Sequence, residues 1–321
     1  MLNNHYILLF VVLNCIYSLN TTTINNNQSI DLSDNGFIYM CGGWDLWDTV
    51  FPNCYKYNQQ SSVWQSIQSM SIGRDVFSLV SMDSKFYAIG GYNNKGYSFK
   101  SVESYDTQTN QWKSIASMNE KRSHHDATVL NNTIYVCGGY SDWNMLKSCE
   151  YYLPNIDKWS FTTPLNKVRS SMALVANNGF IYAIGGYDEN LASNIMERLD
   201  TTTQQWQPMA NMSYTRHAFG SASFMNKIYV CGGSGNSDRK SCETYDPKTN
   251  QWTQIASMLI GRSGFKLIAF NDKLYALGGH TKDYLLIETV EIYDYKSNQW
   301  SYTKSFPTKA TGFGATVITK L

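Results

Sequence analysis

Two imidazoles and a carboxylate stand side by side at His124-His125-Asp126, the densest run of proton-handling side chains in the sequence. Groups of this kind can relay protons or ligate metal ions. The setting argues against both roles. The run opens an alternating stretch, where one histidine should face solvent, and His5, His217 and His280 are scattered. Spacing shows no Ser/His/Asp arrangement, phosphate loop or carboxylate pair. No catalytic residue is nominated, and no enzyme activity is expected.

The sulfur chemistry is better organised. Cys15 aside, six cysteines form three close couples: Cys41 with Cys54, Cys137 with Cys149, and Cys231 with Cys242. The couples lie far apart, with no histidine at ligand spacing, so neither a metal site nor a cofactor is implied. Elsewhere the same two positions hold Ile89 with Val102, Ile184 with Met196, and Leu277 with Val290. Both members change together, as residues touching across neighbouring strands would. Two readings stay open. Disulfides in an oxidising compartment would add about 3 kcal/mol apiece; thiols in a reducing one would serve as small apolar core residues.

Each couple brackets a loop that opens with two glycines, and that arrangement repeats. Glycine pairs begin at Gly42, Gly90, Gly138, Gly185, Gly232 and Gly278, with spacings of 48, 48, 47, 47 and 46. About twenty residues beyond each stands a tryptophan: Trp64, Trp112, Trp159, Trp206, Trp252 and Trp300. One unit reads as four short strands. Ile134-Tyr135-Val136-Cys137 alternates, the glycines turn the chain, VESYD makes the next strand, and turn residues such as DTQTNQW precede the tryptophan strand. A Met-x-x-x-Arg segment then leads to a further alternating stretch. A sheet of about 47 residues cannot cover both of its faces alone; six packed radially can.

The succession GG, E-x-Y-D, T-N-Q-W and M-x-x-x-R resembles the kelch motif over residues 35–319, in the form found in metazoan kelch-like proteins. The resemblance implies an all-β, six-bladed propeller with four antiparallel strands per blade. Propellers of that family commonly recognise substrates for cullin-type ubiquitin ligases or bind actin. There is no room here for the BTB and BACK domains that hold the ligase, so ligase recruitment does not carry over. Kelch-type propellers also include enzymes. The pattern of copper galactose oxidases is not found, whereas a secreted carbohydrate-active propeller resembling sialic acid mutarotases remains the alternative.

Charge patterning says how the ring closes. Arg74, Arg122, Arg169, Arg216 and Arg262 head first strands, and Glu103, Glu150, Glu197, Glu243 and Glu291 head the matching third strands. The sixth set has Ala310 and Tyr55 instead. If the C-terminal stretch TGFGATVITK completes blade one, both absences fall in one blade, and no buried charge is stranded at a cost of about 3–5 kcal/mol. The expectation is five structural ion pairs; a basic ring facing an acidic ligand is the competing reading.

In the resembled family, residues after the twin glycines and beside the arginine often contact a bound peptide. By position that nominates Trp44, Tyr92, Tyr140, Tyr187, Ser234 and His280, with Ser123, Ser170, His217 and Ser263, as a ligand-binding face. Farther along the same loops come Trp47, Asn94, Trp143, Asp188, Arg239 and Asp283. Aromatics in polar loops suit protein recognition, although tyrosines there could simply roof the neighbouring glycines.

The chain of 321 residues has net charge +1 and 16% charged residues, so no strong field attracts nucleic acid or anionic lipid. The expected partner is a protein or peptide, bound by a monomer. Residues 1–20 read as a signal-peptide-like leader: Tyr6 to Leu13 is apolar but too short to span a bilayer, with no basic residue before it. Residues 21–34 read as a polar linker and 35–321 as the propeller. Sequons at Asn20, Asn27, Asn131 and Asn211 fit secretion; a cytoplasmic protein with an N-terminal extension is the alternative.

Overall fold

The computed structural model describes residues 36–45, 49–93, 95–236, 238–306 and 308–319. The proposed leader, the linker, Asn20, Asn27, Trp47 and Asn94 lie outside them. Six antiparallel sheets of four strands form a six-bladed β-propeller. Blade two shows the common order: Ser78–Met82 innermost, then Lys85–Ile89, Val102–Asp106 and Gln111–Ile115 outermost. In blade one the inner strand is Gly314–Ile318, paired with Phe37–Cys41 from Phe37↔Ile318 to Cys41↔Gly314. The tail of the chain therefore closes the ring beside its head, and Phe37–Cys41 is paired on both sides.

The core lies between blades, where inner strands pack aromatic and aliphatic side chains against the next sheet. The twin glycines make the joint. The second donates its N–H to the backbone of the following blade, as in Gly91 N–H to the Arg122 carbonyl at 2.8 Å. A Cβ on Gly90 would meet that same oxygen at 2.6 Å, so a side chain cannot enter. The turn-and-tryptophan segment supplies a second joint: Trp159 Nε1 donates to the Ala116 carbonyl one blade back at 2.9 Å, and Trp252 and Trp300 repeat the bond.

The paired positions inferred from covariation face each other in register: Cys41↔Cys54, Ile89↔Val102, Cys137↔Cys149, Ile184↔Met196, Cys231↔Cys242 and Leu277↔Val290. All three cysteine couples are disulfides with Cα–Cα distances of 4.1–4.2 Å. Bonds of this kind suggest an oxidising, extracellular environment. Among the described residues no helix is long and apolar enough to cross a membrane.

Candidate functional site: the central cavity and its mouth

Each blade's arginine enters the sheet instead of facing a ligand. Arg74 Nη2 lies 2.9 Å from Glu103 Oε1, while Nη1 donates to the carbonyls of Gly90 and Ser101. Arg122–Glu150, Arg169–Glu197, Arg216–Glu243 and Arg262–Glu291 repeat this at 2.8–3.1 Å, with guanidinium groups at most 4% exposed. Four of the glutamates also accept a backbone N–H from the segment before the arginine, as Glu243 does from Ser213 at 2.8 Å, and Glu197 accepts the side-chain amide of Asn166 instead. A basic ring has no exposed guanidinium on which to rest. Ala310 is fully buried, and Lys309 beside it is exposed.

Just past each arginine the chain turns into the channel. The second residue after it takes a left-handed conformation in every blade: Val76, His124, Ser171, Ala218, Gly264 and Gly312. Their backbones form a closed girdle. Val76 N–H donates to Gly312, His124 to Val76, Ser171 to His124, Ala218 to Ser171, Gly264 to Ala218 and Gly312 to Gly264, at 2.7–3.3 Å. The preceding residue of each blade forms an antiparallel bridge with the first residue after that blade's glycines, as in Asp75↔Tyr92 and Ser263↔His280. Six such bridges build the mouth of the cavity.

The cavity has a volume of about 780 Å³ and runs from this mouth into the channel. Of the ten nominated residues, Trp44, Tyr92, His217, Ser234, Ser263 and His280 line it. Tyr140 and Tyr187 stand behind the mouth, their rings edge-on to His124 and His217 at 5.6 Å. Ser123 and Ser170 are buried, and the Ser123 hydroxyl meets that of Ser98 at 3.1 Å. These two serines brace the bridges and offer no surface to a ligand.

Sequence reasoning misplaced the His124-His125-Asp126 run. No side of an inner strand faces bulk solvent, because other blades and the channel surround it. His124 points into the mouth, where burial lowers its pKa to about 4. His125 is buried between blades, and burial holds it well below its usual value. Asp126 reaches the channel, where burial raises its carboxyl although Lys266 opposes the shift. His280 is lowered to about 4 and His217 is lowered, in both cases by burial first and Arg239 second. Asp75, desolvated at the mouth, is raised well above the carboxylate range. The mouth therefore carries neutral imidazoles at pH 7, able to donate and accept hydrogen bonds.

Around the mouth the same loops end in exposed apolar side chains. Tyr97, Trp143, Leu191, Tyr284 and Leu285 are 62–90% exposed. Tyr284 stacks on His280 with ring centroids 5.4 Å apart, which joins the rim to the cavity wall. Among the described residues no group of three His, Cys, Asp or Glu side chains is placed to hold a metal ion.

A sequence profile described as the KLHDC2/KLHL20/DRC7 Kelch-repeats domain matches residues 34–233 and 76–279, and the Kelch motif profile matches residues 261–307. The chain belongs to the kelch-repeat family. No curated protein sequence matches it. Among solved structures, one titled "Structure of YjhT" superposes with a TM-score of 0.71 at 18% sequence identity, covering 84% of this chain and 98% of the other. That likeness concerns the fold of the kelch propeller, whose architecture by itself fits a protein-binding module.

Proposed function

We propose that this kelch propeller is a secreted, non-enzymatic recognition module that binds a protein or peptide on the face formed by the loops after the twin glycines. The rim carries the reading. Five large apolar side chains, 62–90% exposed, stand on the loops of four blades around the mouth of the cavity. Exposed aromatics beside a concave pocket are how a protein surface anchors a partner. The three disulfides support secretion. Capture from the fluid surrounding the source tissue, with wild type and a Tyr97→Ala/Trp143→Ala/Tyr284→Ala variant in parallel, tests it. A partner retained by wild type and lost by the variant supports the reading; identical recovery on both overturns it.

A second reading, a carbohydrate-active enzyme, draws on a different observation. His124, in the girdle turn, and Asp126, which opens the inner strand two residues on, both line the cavity, and their pKa values move in opposite directions. A neutral imidazole beside a carboxyl that holds its proton more tightly is the pairing used in general acid–base chemistry. Hydrolysis or anomer exchange of a sugar panel by wild type but not by Asp126→Asn would favour this reading over the first.

A further inference from the structure

Below the backbone girdle, the cavity reaches the inner strands, each of which opens on the fourth residue after its arginine. Around the ring these are Gly314, Ser78, Asp126, Ala173, Gly220 and Lys266, counted from the blade-one position after Ala310. Four are small, and the two charged ones belong to blades three and six, which stand opposite each other in a six-membered ring. The blades flanking Lys266 carry Gly220 and Gly314 at this position. Asp126 is held in place: Oδ2 accepts the Leu174 N–H at 2.9 Å, and the Ser78 hydroxyl lies 3.3 Å from Oδ1. Among the described residues, no ion pair within 4.0 Å joins Asp126 to Lys266. Two opposite charges from opposite blades thus line one cavity without forming an ion pair.

We infer that this part of the channel is a binding site for a small zwitterion of the α-amino acid type, its carboxylate on Lys266 and its ammonium on Asp126. An unpaired charge in a desolvated site is costly. A ligand carrying both charges satisfies both walls at once, whereas a singly charged one leaves the other wall unmatched. Each carboxylate oxygen has a lone pair beyond the bond already made. Asp126 and Lys266 share one cavity of about 780 Å³ with Trp44 and Tyr284 at the mouth, so the ligand's side chain has room above its charged end. The site lies beneath the rim residues, and its occupancy does not depend on the protein-binding reading.

Isothermal titration of the full disulfide-bonded chain with glycine, L-alanine, L-leucine, L-phenylalanine and L-glutamine tests the assignment. Each is paired with its N-acetyl and its amide derivative. At least one free amino acid should bind, with each blocked form weaker by about tenfold or more. Lys266→Met should abolish binding while near-UV circular dichroism stays unchanged, since Lys266 anchors no neighbour. Asp126→Asn should do the same where it folds. Absence of binding by all five at millimolar concentration overturns the proposal. So does equal binding of free and blocked forms, or binding that survives in a folded Lys266→Met variant.

Discussion

Ala310 and Tyr55 belong to one apolar cluster with Met40, Phe306 and Phe313, in the place where the other five blades hold an arginine and a glutamate. Tyr55 pairs with Met40 as Glu103 pairs with Ala88, so the correspondence holds in register. The blade assembled from both ends of the chain is thus the one without a buried ion pair. Its tryptophan departs too: Trp64 Nε1 is buried without a hydrogen-bond partner, and its ring packs edge-on against Phe306 at 4.7 Å.

That substitution within one molecule shows how to test the ion pairs. Arg216 and Glu243 are both fully buried. Glu243→Gln, which leaves the guanidinium uncompensated, should destabilise by about 3–5 kcal/mol. The double change Arg216→Ala with Glu243→Tyr, which copies blade one, should cost clearly less than the sum of its single changes. Urea unfolding midpoints for the four proteins of this cycle measure the coupling, and additive losses would contradict it.

His125 occupies the slot that Phe77, Phe219, Phe265 and Phe313 fill in four other blades, and neither ring nitrogen makes a hydrogen bond of normal geometry. An unsatisfied buried polar group costs about 1–3 kcal/mol, so His125→Phe should stabilise the protein by a similar amount at pH 7. The pH dependence has a definite sign. His125, His124, His217 and His280 all have folded pKa values below the unfolded value of about 6.5. The unfolded chain therefore binds more protons as pH falls from about 6.5 toward 4, and stability is lost across that window. His125→Phe should flatten the decline. Thermal unfolding of both proteins between pH 7 and pH 4.5 checks it, and parallel curves would contradict it.

The sequence displays whatever repeats, and the structure adds what departs from the repeat. Gly42, Gly90 and their counterparts mark the blade joints because every joint needs the same close approach. The loss of Arg and Glu at Ala310 and Tyr55 exposes the latch because a buried charge tolerates no half-measure. Asp126 and Lys266 gave no such signal. Each is a single departure among six copies, and only the circular order of the blades sets them on opposite sides of the ring. Aligning the repeats residue by residue would have shown both at one position. Ser123 and Ser170 were nominated by position alone, and their burial depends on how the bridges pack. One of His124 and His125 was expected in solvent by analogy with an ordinary amphipathic strand, whereas the inner strand of a propeller has packed neighbours or the channel on every side.

The disulfides close loops of 11–13 residues. In the chain-entropy account each contributes about 3 kcal/mol. Replacing Cys137 by Ile and Cys149 by Val reproduces the blade-two pair, keeps the apolar burial and removes only the cross-link. A loss close to that figure in urea unfolding is expected, and the variant should be less sensitive to reductant than wild type. If wild type were equally stable with and without reductant, the bonds would have no role in holding the propeller.

The C-terminal strand offers the strictest test of the architecture. Gly314–Ile318 is the inner strand of blade one and packs against blade two, where a Cβ on Gly314 would meet the Leu79 side chain at 2.5 Å. Removing residues 312–321 uncovers the edge of Phe37–Cys41 and opens the ring between blades six and two. An uncovered hydrophobic edge pairs with other chains, so the truncated protein should aggregate or lose cooperative unfolding, with no intact five-blade remainder. A synthetic peptide of sequence GFGATVIT, added during refolding, should restore monomeric protein by taking the vacant position. Size-exclusion chromatography with and without the peptide reads the outcome. A truncated chain that stays monomeric and unfolds as steeply as wild type would show that the ring does not depend on this strand.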